Sequence, residues 1–170
     1  MTVSGVSFDR DSAGRVRDDV WHVLDAHPNT LIMLAHDGRI AVRDSGEVFH
    51  DRQTAPSGER VYLGVLRSAG QDRPVELRLI DQSDVSDVRW WGIRDAMGHS
   101  DPVEIELSTT AIALAHWREA QRYCPSCGQL LMAASAGWVL ECGCGSQVWP
   151  RLSPAVITLI EDGEGRVLLG

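Results

Sequence analysis

The sequence has 170 residues, of which 44% are hydrophobic and 24% charged, and its net charge is −8. This composition is typical of a globular chain and excludes the collagen-like and disordered classes. No apolar stretch reaches the ~18 residues that a membrane-spanning helix needs, and the first ten residues lack the basic and apolar regions of a signal peptide. We therefore expect a cytoplasmic protein, and its acidic charge disfavours non-specific binding to nucleic acid.

The first hundred residues predict a β-rich N-terminal domain. Leu31–Leu34 and Ile40–Val42 flank an Asp-Gly dipeptide at 37–38 that suits a tight hairpin turn. Val61–Val65 and the alternating apolar residues of Val75–Leu79 predict two further strands. Because polar loops separate these segments, we expect a meandering sheet.

A helix is expected to begin near Ser108 and to lead into the cysteine-rich part of the chain. Ser108 or Thr109 can cap it, and Ala111, Leu114 and Ala115 follow at helical spacing.

All four cysteines lie between positions 124 and 144. Cys124 and Cys127 have the spacing of a zinc knuckle, and Cys142 and Cys144 form a shorter C-x-C pair flanked by glycines. Four sulfur ligands are the number that a closed structural zinc site requires. The segment between the pairs, with apolar runs at 130–132 and 138–140, then forms a zinc ribbon. Two alternatives stay open, namely four reduced thiols without metal and His116 in place of one cysteine.

The end of the sequence predicts a β-hairpin. Ala155–Ile160 is a continuous apolar run, an Asp-Gly dipeptide at 162–163 suits a turn, and Arg166–Leu169 starts a second strand. A two-stranded apolar hairpin needs further strands or a helix to cover it. We therefore expect the sequence to stop inside a domain, and the alternative is that the hairpin completes the N-terminal sheet.

The second half of the sequence resembles the NADH pyrophosphatases of the Nudix hydrolase family and the similar enzymes that remove NAD from RNA. The resemblance is strong over about Ala111–Gly170 and weak before it, where only the strand-rich pattern and the segment Trp91-Gly92-Ile93-Arg94 are similar. Its motifs are Ala115-His116-Trp117, Tyr123-Cys124-Pro125-Ser126-Cys127-Gly128, Gly137-Trp138, the second cysteine pair, Trp149-Pro150-Arg151 and Pro154-Ala155-Val156-Ile157.

The resemblance implies an α+β chain of three parts. These are an N-terminal β-rich domain at 1–107, a helix and zinc ribbon at 108–150, and the first β-hairpin of a truncated Nudix domain at 151–170. The implied activity of the complete enzyme is hydrolysis of NAD(H), or of NAD-capped RNA, to nicotinamide mononucleotide and AMP. The resemblance further implies a homodimer with structural zinc and with Mg²⁺ or Mn²⁺ in the Nudix domain.

The catalytic Nudix signature is absent from these residues. Its glutamates hold divalent ions against the pyrophosphate, but the sequence has no Glu-Glu dipeptide, and its nine glutamates are scattered. We therefore expect no catalytic residue here, and this part contributes scaffold, dimer surface and part of the base pocket. The rival interpretations are a non-catalytic zinc-ribbon module that binds protein or nucleic acid, and a purely structural domain.

Two residues are candidate substrate contacts because of their family positions. Trp149 stands where the family commonly stacks an aromatic ring on a base, and the alternative is a core tryptophan. Arg94 resembles an arginine that the family carries shortly before the helix and that can contact substrate, and the alternative is a surface ion pair with Asp95 or another acid. Trp117 and Trp138 are expected in the core.

Overall fold

The computed structural model describes residues 6–68, 70–81, 84–99, 101–151 and 158–168. It confirms the α+β class, with a six-stranded sheet, a three-stranded sheet and three α-helices in the described residues. The larger sheet contains β1 (Ser7–Asp9), β2 (Leu31–His36), β3 (Arg39–Arg43), β4 (Glu59–Ser68), β5 (Gln71–Leu79) and β6 (Val88–Trp91). The helices are α1 (Val20–Ala26), α2 (Ile93–Met97) and α3 (Pro102–Ala120), and the smaller sheet contains β7 (Met132–Ala134), β8 (Val139–Glu141) and β9 (Gln147–Val148).

The strand order of the larger sheet is β1-β4-β5-β2-β3-β6, so the predicted meander is wrong. β2 pairs with β5 in parallel, whereas the other neighbours are antiparallel. The four consecutive residues Ile32, Met33, Leu34 and Ala35 are fully buried. A strand that is apolar on both faces is stable only in the interior of a covered sheet, and β5 supplies the second neighbour that β2 needs there.

The predicted hairpin of β2 and β3 is confirmed. Ala35 pairs with Ile40, and the two turn residues, Asp37 and Gly38, have φ angles of 48° and 62°. Positive φ at both central positions is what a two-residue hairpin turn of this kind requires. The turn lies against α3, since a Cβ at Gly38 would lie 3.1 Å from the His116 ring.

Helix α3 begins at Pro102, six residues before the predicted start near Ser108. The Asp101 carboxylate accepts a hydrogen bond of 2.8 Å from the Val103 N–H, and proline is favoured in the first helical turn. Ser108 is buried inside the helix, and the Thr109 hydroxyl donates to the Ile105 carbonyl at 2.7 Å rather than capping. The apolar face of α3 packs on the sheet through Leu107, Ala111, Ile112, Leu114 and Ala115.

Helix α1 is fastened to the sheet by a chain of ion pairs. Asp25 accepts hydrogen bonds from Arg52 at 2.9 Å and from Arg60 at 2.8 Å. Arg60 also contacts the fully buried Glu76 at 2.6 Å, and Arg78 donates to the same carboxylate at 2.7 Å. Because a buried carboxylate is tolerated only when it is paired, this chain of contacts fixes α1, β4 and β5 relative to one another.

The ribbon packs directly on the larger sheet. The Trp138 indole N–H donates to the Tyr62 carbonyl at 2.6 Å, and a Cβ at Gly137 would lie 2.9 Å from the Arg60 carbonyl. Trp117 contacts both the main core and the small core of the ribbon. Trp117 and Trp138 therefore join the two parts, and the proposed division at residues 107 and 150 stays a prediction.

A tight turn follows the ribbon at the end of the described residues. The Leu168 N–H donates to the Ile160 carbonyl at 3.0 Å, and Glu161 pairs with Val167. Much of the predicted strand at 155–160 lies outside the described residues, as does Leu169. Within the described part, this hairpin pairs with no strand of the larger sheet, and Leu159 and Leu168 are exposed.

Candidate metal centre

The four cysteine thiols converge on one point. Each sulfur lies within 4.8 Å of the other three. The sulfurs of Cys124 and Cys144 lie 3.7 Å apart, and those of Cys127 and Cys142 lie 3.4 Å apart. A tetrahedral zinc ion with bonds of about 2.3 Å places its sulfur ligands ~3.8 Å apart. The donor set therefore fits a four-sulfur zinc site in both chemistry and size.

The two cysteine pairs share one backbone design. In the first, the Cys124 N–H donates to the Gln129 carbonyl and the Gly128 N–H donates to the Cys124 carbonyl. In the second, the Cys142 N–H donates to the Ser146 carbonyl at 2.9 Å, and the Gly145 N–H returns to the Cys142 carbonyl at 2.9 Å. The C-x-C pair is thus a knuckle shortened by one residue.

Glycine is required near the end of each knuckle. Gly128 and Gly145 have φ angles of 75° and 87°, in the left-handed region that costs other residues free energy. The Ser126 and Ser146 hydroxyls lie 2.9 Å apart and tie the two knuckles together. The two knuckles therefore use a glycine of the same conformation, and whether the shortened second pair supplies two ligands stays a prediction.

The thiols differ in acidity. Burial opposes ionisation of Cys124, but the N–H groups of Ser126 and Cys127 and the neighbouring thiols lower its pKa to about 6. The Gln129 N–H lowers the pKa of Cys127, but hydrogen bonds to Cys142 and Cys144 and loss of hydration raise it to about 12. A divalent cation would favour the thiolate form of every cysteine in the group.

The ribbon around the thiols contains both predicted strands, but each strand begins later in the sequence than expected. The expected runs at 130–132 and 138–140 become β7 and β8, where Met132 pairs with Glu141, and β9 adds a third strand. Leu131 and Leu140 pack against Cys124 and Cys142 in a small core. Within the described residues the metal-ligand group consists of the four cysteines, and His116 is exposed outside it.

The two candidate substrate residues lie on different elements. Trp149 follows β9, and its side chain is 53% exposed, so it packs into no core of the described residues. Arg94 is exposed on α2. Asp95, its suggested ion-pair partner, instead accepts a hydrogen bond of 2.9 Å from the Gly92 N–H. Both side chains are accessible to a ligand, and their roles stay predictions.

One arginine that the sequence reasoning missed lies at the ribbon junction. The Arg15 guanidinium carbon lies 3.5 Å from the centre of the Trp138 ring, and its Nη2 donates to the Leu63 carbonyl at 3.1 Å. Arg15 lies in a polar segment with no motif, so the sequence carried no signal for this contact.

No family profile matches the chain. Curated relatives do match it, and several are NAD-capped RNA hydrolases named NudC. The Stutzerimonas stutzeri protein is 36% identical over 116 residues, which is 65% of this chain and 42% of the relative. The Deinococcus radiodurans protein is 25% identical over 84% of this chain and 49% of its own length. The Pseudomonas aeruginosa protein is 31% identical over 63% of this chain and 34% of its own length.

These matches span less than half of each relative, so they concern one part of those enzymes. In the described residues, no helix combines the length and apolar character needed to cross a membrane. The similarity to NAD-capped RNA hydrolases, together with the four-cysteine ribbon, confirms the resemblance to the Nudix NADH pyrophosphatases that the sequence motifs indicated.

Proposed function

We propose that this chain is the N-terminal and zinc-ribbon part of a Nudix enzyme that hydrolyses NAD(H) to nicotinamide mononucleotide and AMP, and that also acts on NAD-capped RNA. The observation that carries the proposal is the 36% identity over 116 residues to a NAD-capped RNA hydrolase. The rival, a free zinc-ribbon module, does not explain a ribbon that is packed on a sheet domain by Trp138 and Trp117.

The role of zinc in this proposal is structural. Cys124, Cys127, Cys142 and Cys144 would supply all four bonds of a tetrahedral ion, so none is left for a substrate or an activated water. Bound zinc would contribute folding energy to the ribbon. Because the ribbon packs on the larger sheet, it would hold Trp149, which directly follows β9, at a fixed position relative to that sheet.

The chain itself is proposed to be non-catalytic. Pyrophosphate hydrolysis needs carboxylates that hold Mg²⁺ or Mn²⁺ against the phosphates, and the sequence contains no Nudix signature. Those ions belong to the Nudix domain of the complete enzyme. The proposal also includes a homodimer and a cytoplasmic location, where four free thiols stay reduced.

Trp149 and Arg94 are proposed to contact the dinucleotide in the complete enzyme. The exposed Trp149 indole offers a face for stacking on a base, and such stacking is worth about 1–3 kcal/mol per base. The exposed Arg94 guanidinium offers paired donors for phosphate or ribose oxygens. Neither side chain makes an ion pair or hydrogen bond in the described residues that would occupy it.

A chimera tests the proposal. Residues 1–151 of this chain would replace the corresponding part of the Stutzerimonas stutzeri relative, and NADH hydrolysis with Mg²⁺ or Mn²⁺ would be followed by chromatography for AMP. We expect activity from the chimera and none from the 170-residue chain. A folded, zinc-loaded chimera without activity, beside an active parent enzyme, would contradict the proposal.

Substitutions in the chimera test the two contacts. Trp149→Ala and Arg94→Ala should each lower kcat/KM by about tenfold without loss of zinc, as expected when one binding interaction is removed. Arg39→Ala is the matched control, since Arg39 is an exposed arginine of β3. If all three variants have the same kinetics, Trp149 and Arg94 have no part in binding.

A further inference from the structure

A cavity of about 670 Å³ lies between the ribbon and the start of the chain. Its walls include Arg15, Arg17, Trp21 and Arg60 from one side and the loop Ser135–Gly137 from the ribbon. This volume is within the range of about 300–1,000 Å³ that small-molecule sites occupy. Three arginines and one aspartate, Asp18, are the charged side chains of the wall, although the chain as a whole is acidic.

Arg15 is the unusual group of this cavity. Its Nε is buried and has no hydrogen-bond partner, and within the described residues the side chain makes no ion pair. Burial, with a smaller contribution from Arg10, lowers the pKa of Arg15 to about 10. A half-buried cation without a counterion is costly, so a bound anion would stabilise it.

The nearest carboxylates are already engaged elsewhere. Asp11 accepts hydrogen bonds from the Tyr62 hydroxyl at 2.8 Å and from the Gly14 N–H at 3.1 Å. Asp9 accepts from Arg67 at 2.8 Å and from the Asp11 N–H at 2.8 Å. Their negative charge offsets part of the Arg15 charge, but their oxygens are committed and neither forms an ion pair with Arg15. Because Nε is buried and Nη2 donates to Leu63, Nη1 is the Arg15 nitrogen left for a ligand among the described residues.

The other two arginines differ in what they offer. Arg60 donates hydrogen bonds to both Asp25 and Glu76, and its guanidinium carbon lies 4.4 Å from the centre of the Trp21 ring. These contacts fix its position in the cavity wall. Arg17 is exposed and uses Nε and Nη2 for Asp19, so that its Nη1 makes no hydrogen bond in the described residues. Arg15 and Arg17 are therefore the two groups that can approach one ligand.

The ribbon side of the wall is conformationally strained. Ser135 and Ala136 have φ angles of 48° and 52°, which L-residues with a side chain adopt at a cost. Strain of this kind is frequent at ligand sites, where the surrounding structure imposes it. The loop is held there by the Trp138 hydrogen bond to Tyr62.

We propose that this cavity binds the phosphate group of a nucleotide or oligonucleotide, with Arg15 as its principal donor and Arg17 as the second. Phosphate has three terminal oxygens, so it can accept from both guanidinium groups at once, and arginine matches its geometry. The proposal concerns binding by this chain alone. It is independent of hydrolysis, so its test does not require the complete enzyme.

The test is a titration of the zinc-loaded 170-residue chain with AMP, inorganic phosphate and a short 5′-phosphorylated RNA at constant ionic strength. Binding would be followed through the indole ¹⁵N–¹H resonance of Trp138, which Arg15 covers. We expect a saturable shift of that resonance. Phosphate that binds as tightly as AMP would identify a free-phosphate site, and tighter binding of AMP or RNA would identify a nucleotide site, each in support of the proposal.

Variants decide whether Arg15 is responsible. Arg15→Gln should weaken binding by about tenfold or more, because a charge-assisted hydrogen bond is lost. Arg39→Gln, which removes the same charge from an exposed position on β3, should leave the affinity unchanged. If Arg15→Gln does not fold, Arg17→Gln replaces it with an expected loss of about threefold. Equal affinity of the tested cavity variant and Arg39→Gln, or no saturable shift with any probe, would overturn the proposal.

Discussion

Gly137→Ala tests how tightly the ribbon is docked on the sheet. Gly137 has a φ angle of 90°, and an added Cβ would lie 2.9 Å from the Arg60 carbonyl oxygen and 2.9 Å from Val61 Cγ2. The left-handed conformation costs an alanine about 1–2 kcal/mol. Overpacking against β4 adds about 1–3 kcal/mol, because backbone cannot move aside as a flexible side chain can. We expect a total loss of about 2–5 kcal/mol in the free energy of unfolding.

Gly46→Ala is the matched control for this substitution. Gly46 has a φ angle of 92°, and nothing lies within 4 Å of its added Cβ. It should lose only the conformational cost of about 1–2 kcal/mol. Both variants would be unfolded with denaturant in the presence of zinc. Losses that agree within about 0.5 kcal/mol would refute the close contact between the ribbon tip and β4.

Three further substitutions test other parts of the structure. Glu76→Gln should cost about 3–5 kcal/mol in denaturant unfolding, because it leaves Arg60 and Arg78 without their buried counterion, and a loss below about 1 kcal/mol would argue against the buried pairing. Burial lowers the pKa of His50 in the folded state, so its contribution to stability is complete above the unfolded pKa of about 6.5 and declines as pH falls below it. His50→Gln should therefore flatten the pH dependence of unfolding below about pH 6.5, and a profile identical to that of the unsubstituted chain would contradict this reasoning. Cys127→Ser should lower zinc affinity and melt the ribbon in circular dichroism, and an unchanged melting curve would show that the ribbon folds without a complete metal site.

Local sequence signals predicted the parts of the fold that depend on neighbouring residues. The Asp-Gly turn at 37–38 specifies its hairpin because few residues adopt positive φ, and the spacing of Cys124 and Cys127 specifies a knuckle. The apolar spacing from Ala111 onward predicts a later start for α3 than the structure shows, because the first turn is set by the cap signal of Asp101 and Pro102 and not by that spacing.

Other features depend on long-range contacts that periodicity does not encode. The parallel pairing of β2 with β5 depends on which distant strand lies next to β2. The sequence pattern predicts each segment as a strand, but it does not indicate that the two are neighbours. The pairing of Arg15 with Trp138 joins residues 123 positions apart in the chain, so neither local motif indicates it. The convergence of the four cysteine thiols could be predicted for the opposite reason, since all four lie within one short segment.

Zinc K-edge X-ray absorption on the purified, reduced chain tests the central claim most directly. The convergence of four thiols within 4.8 Å is the observation from which the zinc ribbon is inferred. We expect one zinc ion per chain with four sulfur neighbours at about 2.3 Å. A chain that folds with far less than one equivalent of zinc, or a spectrum with a nitrogen or oxygen ligand in place of a cysteine, would contradict the account.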